Sequence, residues 1–477
     1  MPLSNQLKNQ HLLWRAAYGP MAENVNELGG VSQKELYKIL KKTSSKKPEA
    51  LNVASNTFDG LVKGIQNLGN MQKLTQDQKK QMRKQSVDDI KNLNLTWLNE
   101  MINSEAQLRE KMSLFWHGHF ACRVINIYFQ QQLLDVIRQN ALGNFGDLLR
   151  EVSKSPSMLS FLNNQQNRKQ HPNENFAREV MELFTMGRGN YTETDIREAA
   201  RAYTGWGFNV KGEFVERPFL HDTGSKTFLG KTGNFDGDDI IDIILEQKAT
   251  AKFITTKIYK YFVNEEVDND KVEKLAEQFY RDNYNLQKLM DEIFLSDWFY
   301  DEKNIGTRIK SPVELIVGAR RLIPMELEKP EVQLLFQRVL GQVLFYPPNV
   351  AGWPGGKSWI DSSALMFRMR LAQILTASES YLIKPKDDDD VMMGMEGVDK
   401  NPKANHLQVN ADWDSVIKVF DKTSRENLSQ KVNDITLQTK DSINPNVLKR
   451  YVDNTTREGF IKSTIIELMS TPEYQLC

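Results

Sequence analysis

Apolar residues recur at intervals of three and four along most of this chain, and that spacing predicts helices. Leu108, Met112, Phe115, His119, Cys122 and Ile125 fall on one face of a strongly helical stretch at 87–145. Residues 1–40 read as a pair of docking helices, the first carrying Leu12, Leu13 and Trp14 and stopped by Gly19-Pro20. Residues 41–86 turn to Lys, Gln, Ser and Asn and read as a polar insertion with one exposed helix around Gln76–Lys84. Further helices are expected from Asn173 to Gly187 and from Thr192 to Gly205. The period then shortens. Trp206, Phe208, Val210, Phe214 and Val215 alternate around Gly212, which predicts a small β-hairpin excursion at 206–230.

Helical spacing returns from Asp238 to Tyr346. It includes Ser311-Pro312-Val313-Glu314, in which Ser caps the helix, Pro takes its first position and Glu closes a capping box. A Pro/Gly/Trp loop at 346–359 and one more helix complete a main helical domain at 87–383. Residues 384–410, with Asp387 to Asp390 and Met392, Met393 and Met395, form an acidic, Met-rich linker loop. Residues 411–477 close the chain as a helical tail with helices near 411–422 and 457–470. The fold class expected is mainly α, a multi-helical globular array with one β-hairpin excursion.

Composition narrows the function classes. Lys and Arg number 62, as do Asp and Glu, so no net field draws the chain to nucleic acid or to an anionic membrane. Only Cys122 and Cys477 are present, which leaves no disulfide framework and no thiolate zinc site. No run of apolar residues is long enough for a transmembrane span, and the opening residues lack the apolar core of a secretory signal. The chain as written reads as cytoplasmic; a leader trimmed beforehand would make it periplasmic or exported.

Five motifs in order carry a family resemblance: Trp116-His117-Gly118-His119-Phe120, Asn173-Glu174-Asn175-Phe176-Ala177-Arg178-Glu179, Thr204-Gly205-Trp206, Lys310-Ser311-Pro312-Val313-Glu314, and Pro347-Pro348-Asn349-Val350-Ala351-Gly352-Trp353-Pro354. From His11 to about Gln373 the chain resembles the bacterial family catalogued as domain of unknown function 1800. The resemblance implies a sulfatase-like protein, encoded nearby, as partner and supplies no catalytic residues. The chain departs from the family pattern at Phe184 and Gln247, where relatives tend to have His.

Four of the six His, namely His117, His119, His171 and His221, lie in or beside these motifs. Neutral imidazole is the commonest metal ligand and a base near neutral pH. His117 and His119 leave a regular helix about 200° apart, so they share an ion only if the helix unwinds at Gly118. Otherwise His119 faces the core and His117 points elsewhere. Asn175, Glu179 and Glu182 form a polar stripe one helix further on. Two readings stand: a divalent metal held by His117, His119, Glu179 and Glu182, activating water or oxygen, or a stripe salt-bridged by Arg178 to Glu174 and Glu182.

The remaining candidate binding residues are His171, His221, Asp222, Lys310 and the loop residues Asn349, Trp353 and Trp359. Exposed Trp faces in that loop would receive a partner, whereas buried ones would seal the core. Ser225 lacks a nucleophile elbow, and Asp236-Gly237-Asp238-Asp239 suits helix capping better than calcium. A metal-dependent enzyme of unassigned reaction and a non-catalytic binding or assembly protein are the competing functions.

Overall fold

The computed structural model describes residues 3–54, 75–209, 211–376, 408–439, 443 and 445–477. Helices α1 (Asn5–Ala16) and α2 (Gln33–Ser44) form the N-terminal pair, followed by α3 (Gln76–Asn103), α4 (Gln107–His119), α5 (Ile127–Asn140), α6 (Phe145–Lys154) and α7 (Pro156–Phe161). Helix α8 (Asn175–Glu179) runs directly into a π-helical turn at Val180–Thr185, and α9 (Glu193–Ala202) follows. Strand β1 (Trp206–Phe208) pairs antiparallel with β2 (Phe214–Glu216), and β3 (Lys226–Phe228) with β4 (Lys231–Gly233). Next come α10 (Gly237–Leu245), α11 (Lys248–Phe262), α12 (Asn269–Arg281), α13 (Leu286–Phe294) and α14 (Pro312–Leu322). Strand β5 (Met325–Leu327), α15 (Val332–Leu340) and α16 (Ser362–Thr376) precede β6 (Val409–Ala411), which returns to pair with β5. Helices α17 (Trp413–Lys418), α18 (Arg425–Thr436), α19 (Pro445–Leu448) and α20 (Arg457–Met469) end the described chain.

Local chemistry places most helix starts. Side chains of Ser32, Thr75, Thr192, Asp236 and Ser311 each close a capping box, so two backbone N–H groups that a helix leaves unpaired find acceptors. The mainly helical class and the hairpins follow the pattern, with two hairpins where one was expected. In the second, Leu229 and Gly230 both take positive φ, the geometry of a tight turn whose twist matches its strands.

Three expectations need correction. Helix α4 stops at His119, so Cys122 and Ile125 lie in a connection and Ile125 is exposed. Asn126 restarts the chain as α5 by accepting from Phe129 N–H, and a helical period carried across that break was accidental. The exposed helix at Gln76–Lys84 is the solvated end of α3, which runs through residue 86 without a break. The tail also holds α18, whose polar sequence hid its few buried positions. The linker expected at 384–410 lies outside the described residues up to 407, and 409–410 belong to β6.

Three apolar clusters fill the interior. The largest joins α1, α2 and α4 to α13 around Trp116, Phe120 and Phe145. A second packs α14 to α16 against α17 to α20, so residues 411–477 share a core with the middle of the chain. The third lies between α3, α4, α5 and α14 around Trp97, Leu114 and Phe345. Helices α4 and α14 each contribute to two clusters, which puts Lys111 and Glu314 on the seam.

Candidate functional site

The most distinctive polar arrangement forms where the end of α4 meets the π-turn and α11. Helix α4 remains helical through Gly118, so His117 and His119 leave it in opposed directions. The π-turn widens one helical turn and leaves carbonyls pointing sideways, a local irregularity often found at functional sites. Two of these carbonyls are used here. His119 Nε2 donates to Phe184 O at 3.1 Å, while its Nδ1 accepts from Lys257 Nζ at 3.1 Å. The Lys257 ammonium also donates to Leu183 O at 3.1 Å and lies over the Phe253 ring. No carboxylate pairs with Lys257 among the described residues, and burial brings its pKa down to about 8. Burial, with the Lys257 charge, holds the His119 pKa well below its ordinary value despite the bond to Phe184 O.

His117 has a different task. Its Nε2 accepts from Phe345 N–H at 3.1 Å, and its ring packs against Trp97, Phe345 and Trp353. Phe345 has φ +69°, a left-handed conformation that costs a bulky side chain energy and persists only when neighbours fix it. The imidazole is therefore a clamp at the root of the 346–359 loop. Gly352 completes the docking: a Cβ there would come within 2.3 Å of Gly118 O. Replacing His117 by Ala is expected to cost about 1–3 kcal/mol, the usual price of a buried N–H left without an acceptor. His117→Gln, which keeps an acceptor, should recover part of it in urea unfolding.

The carboxylate stripe resolves into separate contacts. Arg178 pairs with Glu193 at 2.8 Å and Glu174 at 3.2 Å, whereas Glu182 binds Arg188 at 2.5 Å and receives Tyr191 OH at 3.3 Å. The expected Arg178–Glu182 pair is replaced because the turn after the π-helix brings Arg188 back to Glu182. Glu179 is half-buried with no hydrogen bond or ion pair among the described residues, and burial followed by Glu182 raises its pKa. No group of three His, Cys, Asp or Glu side chains comes together to hold a metal among the described residues, so His117, His119, Glu179 and Glu182 are not gathered at one point.

The other candidates are dispersed. His171 is exposed in a turn, and Asn175 donates to Leu162 O at 3.2 Å. His221 Nδ1 meets Thr204 O at 2.9 Å, and Asp222 is bound by Arg201 at 2.8 Å, which fastens the second hairpin's approach to α9. Lys310 is fully buried, donating to Tyr474 O at 2.6 Å between the Trp14 and Tyr474 rings. Asn349 Oδ1 accepts from Ala351 N–H, Trp359 is buried, and Trp353 is partly exposed.

A family model described as a protein of unknown function, DUF1800, matches residues 11–476. The chain belongs to the DUF1800 family. The match runs well past Gln373, so the second core and its C-terminal helices are part of the family's fold. No curated protein and no solved structure matches the chain. No helix among the described residues is long and apolar enough to cross a membrane.

Sequence reasoning missed Lys257. Its signal was a lysine three residues after Ile254 and one before Ile258, at the margin of the buried face of α11. Phe184 contributes its backbone carbonyl to the site and packs its ring 5.3 Å from Phe120.

Proposed function

We propose that this DUF1800 protein is an enzyme whose working group is the Lys257 amine, acting on a carbonyl compound through an imine. The observation that carries this reading is a largely buried lysine without a carboxylate partner among the described residues, held between a neutral imidazole and a π-turn carbonyl. Desolvation favours the neutral amine, the nucleophilic form, at a pH well below that at which a surface lysine loses its proton. The amine nitrogen adds to the carbonyl carbon, its proton passes to the carbonyl oxygen, and loss of water leaves the imine. Hydrolysis reverses each step and restores the amine. His119 Nδ1, already bonded to Nζ, keeps the lone pair and proton of the amine aligned.

Reductive trapping tests this. With a small aldehyde and cyanoborohydride at pH 7.5, Lys257 is expected to be labelled at least about tenfold faster than exposed Lys260, with a midpoint near pH 8. Labelling no faster than Lys260 would refute the proposal. The same preparation addresses the divalent-metal alternative, which requires Lys257 to leave His119 Nδ1 and Phe345 N–H to leave His117 Nε2. Near-stoichiometric metal that disappears in His119→Ala would favour that alternative. A second reading, docking of a sulfatase-like partner on the 346–359 loop, draws support from the partly exposed Trp353.

A further inference from the structure

Far from Lys257 in function lies a second polar centre, where α1, α4, the segment before α14, α16 and the stretch after α20 converge. Arg15, Lys111, Arg308, Lys310 and Arg368 are each at most 5% exposed there. Buried charges require partners, and these five cations share few. The Glu314 carboxylate takes Lys111 and both terminal nitrogens of Arg308. Negative charge at Cys477 also acts on all five.

Hydrogen-bond donors are left over. Arg15 Nη2 donates to Asn304 O at 3.0 Å, and Arg368 Nη2 donates to Lys310 O. The Nε and Nη1 groups of both arginines, and the Tyr474 hydroxyl, are shut off from solvent with no partner among the described residues. Lys310 links the two arginines: its carbonyl accepts from Arg368 Nη2, and its ammonium lies 3.7 Å over the ring of Trp14, the residue before Arg15. Positive charge in excess of carboxylate, together with orphaned N–H and O–H groups on α1, α16 and the Tyr474 segment, is the chemistry of an anion site.

We propose that this centre holds a small inorganic oxyanion of the phosphate or sulfate class as a structural ligand. Such an ion offers several oxygens in different directions, matching donors that come from α1, α16 and Tyr474. It ties residue 15 to residues 308, 368 and 474, and so joins the N-terminal helix to the second core. This proposal is independent of the Lys257 chemistry.

The test measures what the folded protein carries. Wild-type protein is refolded separately in phosphate, sulfate and chloride, passed through gel filtration in anion-free buffer, and unfolded in urea, and the released ions are quantified by ion chromatography. About one equivalent of phosphate or sulfate is expected, with the chloride arm returning none of either. Arg368→Met and Arg15→Met should each lower that release at least fivefold in preparations that retain wild-type circular dichroism. Folded wild type that releases less than a tenth of an equivalent of either oxyanion overturns the proposal, because water then satisfies these donors. That wild-type result decides the matter even if both variants fail to fold. One equivalent of chloride retained in its own arm, with no oxyanion retained in the others, also overturns it.

Discussion

Acidification from pH 7 to pH 4 is expected to destabilise this protein more steeply than titration of its carboxylates alone would. Three imidazoles, His11, His117 and His119, are buried, and burial lowers the pKa of each, to about 3 for His117. His11 is lowered further by Arg15, and His119 by Lys257. In the unfolded chain an imidazole takes up a proton near pH 6.5. Below that pH the unfolded state binds protons that the native state refuses, so stability present above pH 6.5 is lost as the pH falls. The loss approaches about 1.4 kcal/mol per pH unit for each histidine, or roughly 4 kcal/mol per unit for the three. It continues until the native imidazoles themselves protonate. Lys257 and Lys310 act on the alkaline side, where their pKa values of about 8 and 7 make stability rise from near pH 7 toward pH 10.5. Urea unfolding at pH 7.5, 6.5, 5.5 and 4.5 checks the acid limb, and His117→Gln should remove about a third of its slope. A flat profile between pH 6.5 and 5 would show that these imidazoles are not held neutral.

Glu314→Gln is expected to cost roughly 3–5 kcal/mol, the usual consequence of removing one partner from a fully buried ion cluster. Lys111 and Glu314 are both wholly inaccessible, and Arg308 approaches the same carboxylate from the segment before α14. Gln keeps an oxygen that can accept from Ser311 N–H, so the loss reports the charge and not the capping box. The native carboxyl is held far below its ordinary range by Arg308 and Lys111, which outweigh burial. Its contribution is therefore present above about pH 4.5 and is lost as pH falls further. The measurement is the urea midpoint at pH 7.5, with Lys111→Met and the double variant completing a mutant cycle. A change below about 1 kcal/mol would mean that the cluster rearranges to satisfy its cations without this group.

The sequence spoke clearly wherever the determining physics is local. Ser311-Pro312-Val313-Glu314 and Asp236 to Asp239 cap helices by contacts three residues apart, and both formed. The opposed directions of His117 and His119 also follow from helix geometry alone. Whatever depends on distant partners stayed hidden. Glu314 looked like a capping residue, yet it also neutralises Lys111 from 203 residues away. Phe345 gave no sign of its left-handed backbone, because only His117 and the packing around it make that conformation tenable. The π-turn after Glu179 was equally silent, since an inserted residue inside a helix scarcely alters the apolar period. Strand β5 is three residues long, and its partner β6 lies beyond α16, so no hairpin signal marks it.

The pairing of α1 with the other end of the chain sets a timetable for synthesis. Gln10 reaches its acceptors Asp434 O and Ile435 O across 424 and 425 residues. Translation at about 5–20 residues per second separates these groups by roughly 20–90 s. Through that interval Leu12, Leu13 and Trp14 leave the ribosome with part of their docking surface still unmade. Chaperones that shield apolar segments during elongation have a prolonged task here, at a helix that is fully seated only after residues 434 and 435 have followed it.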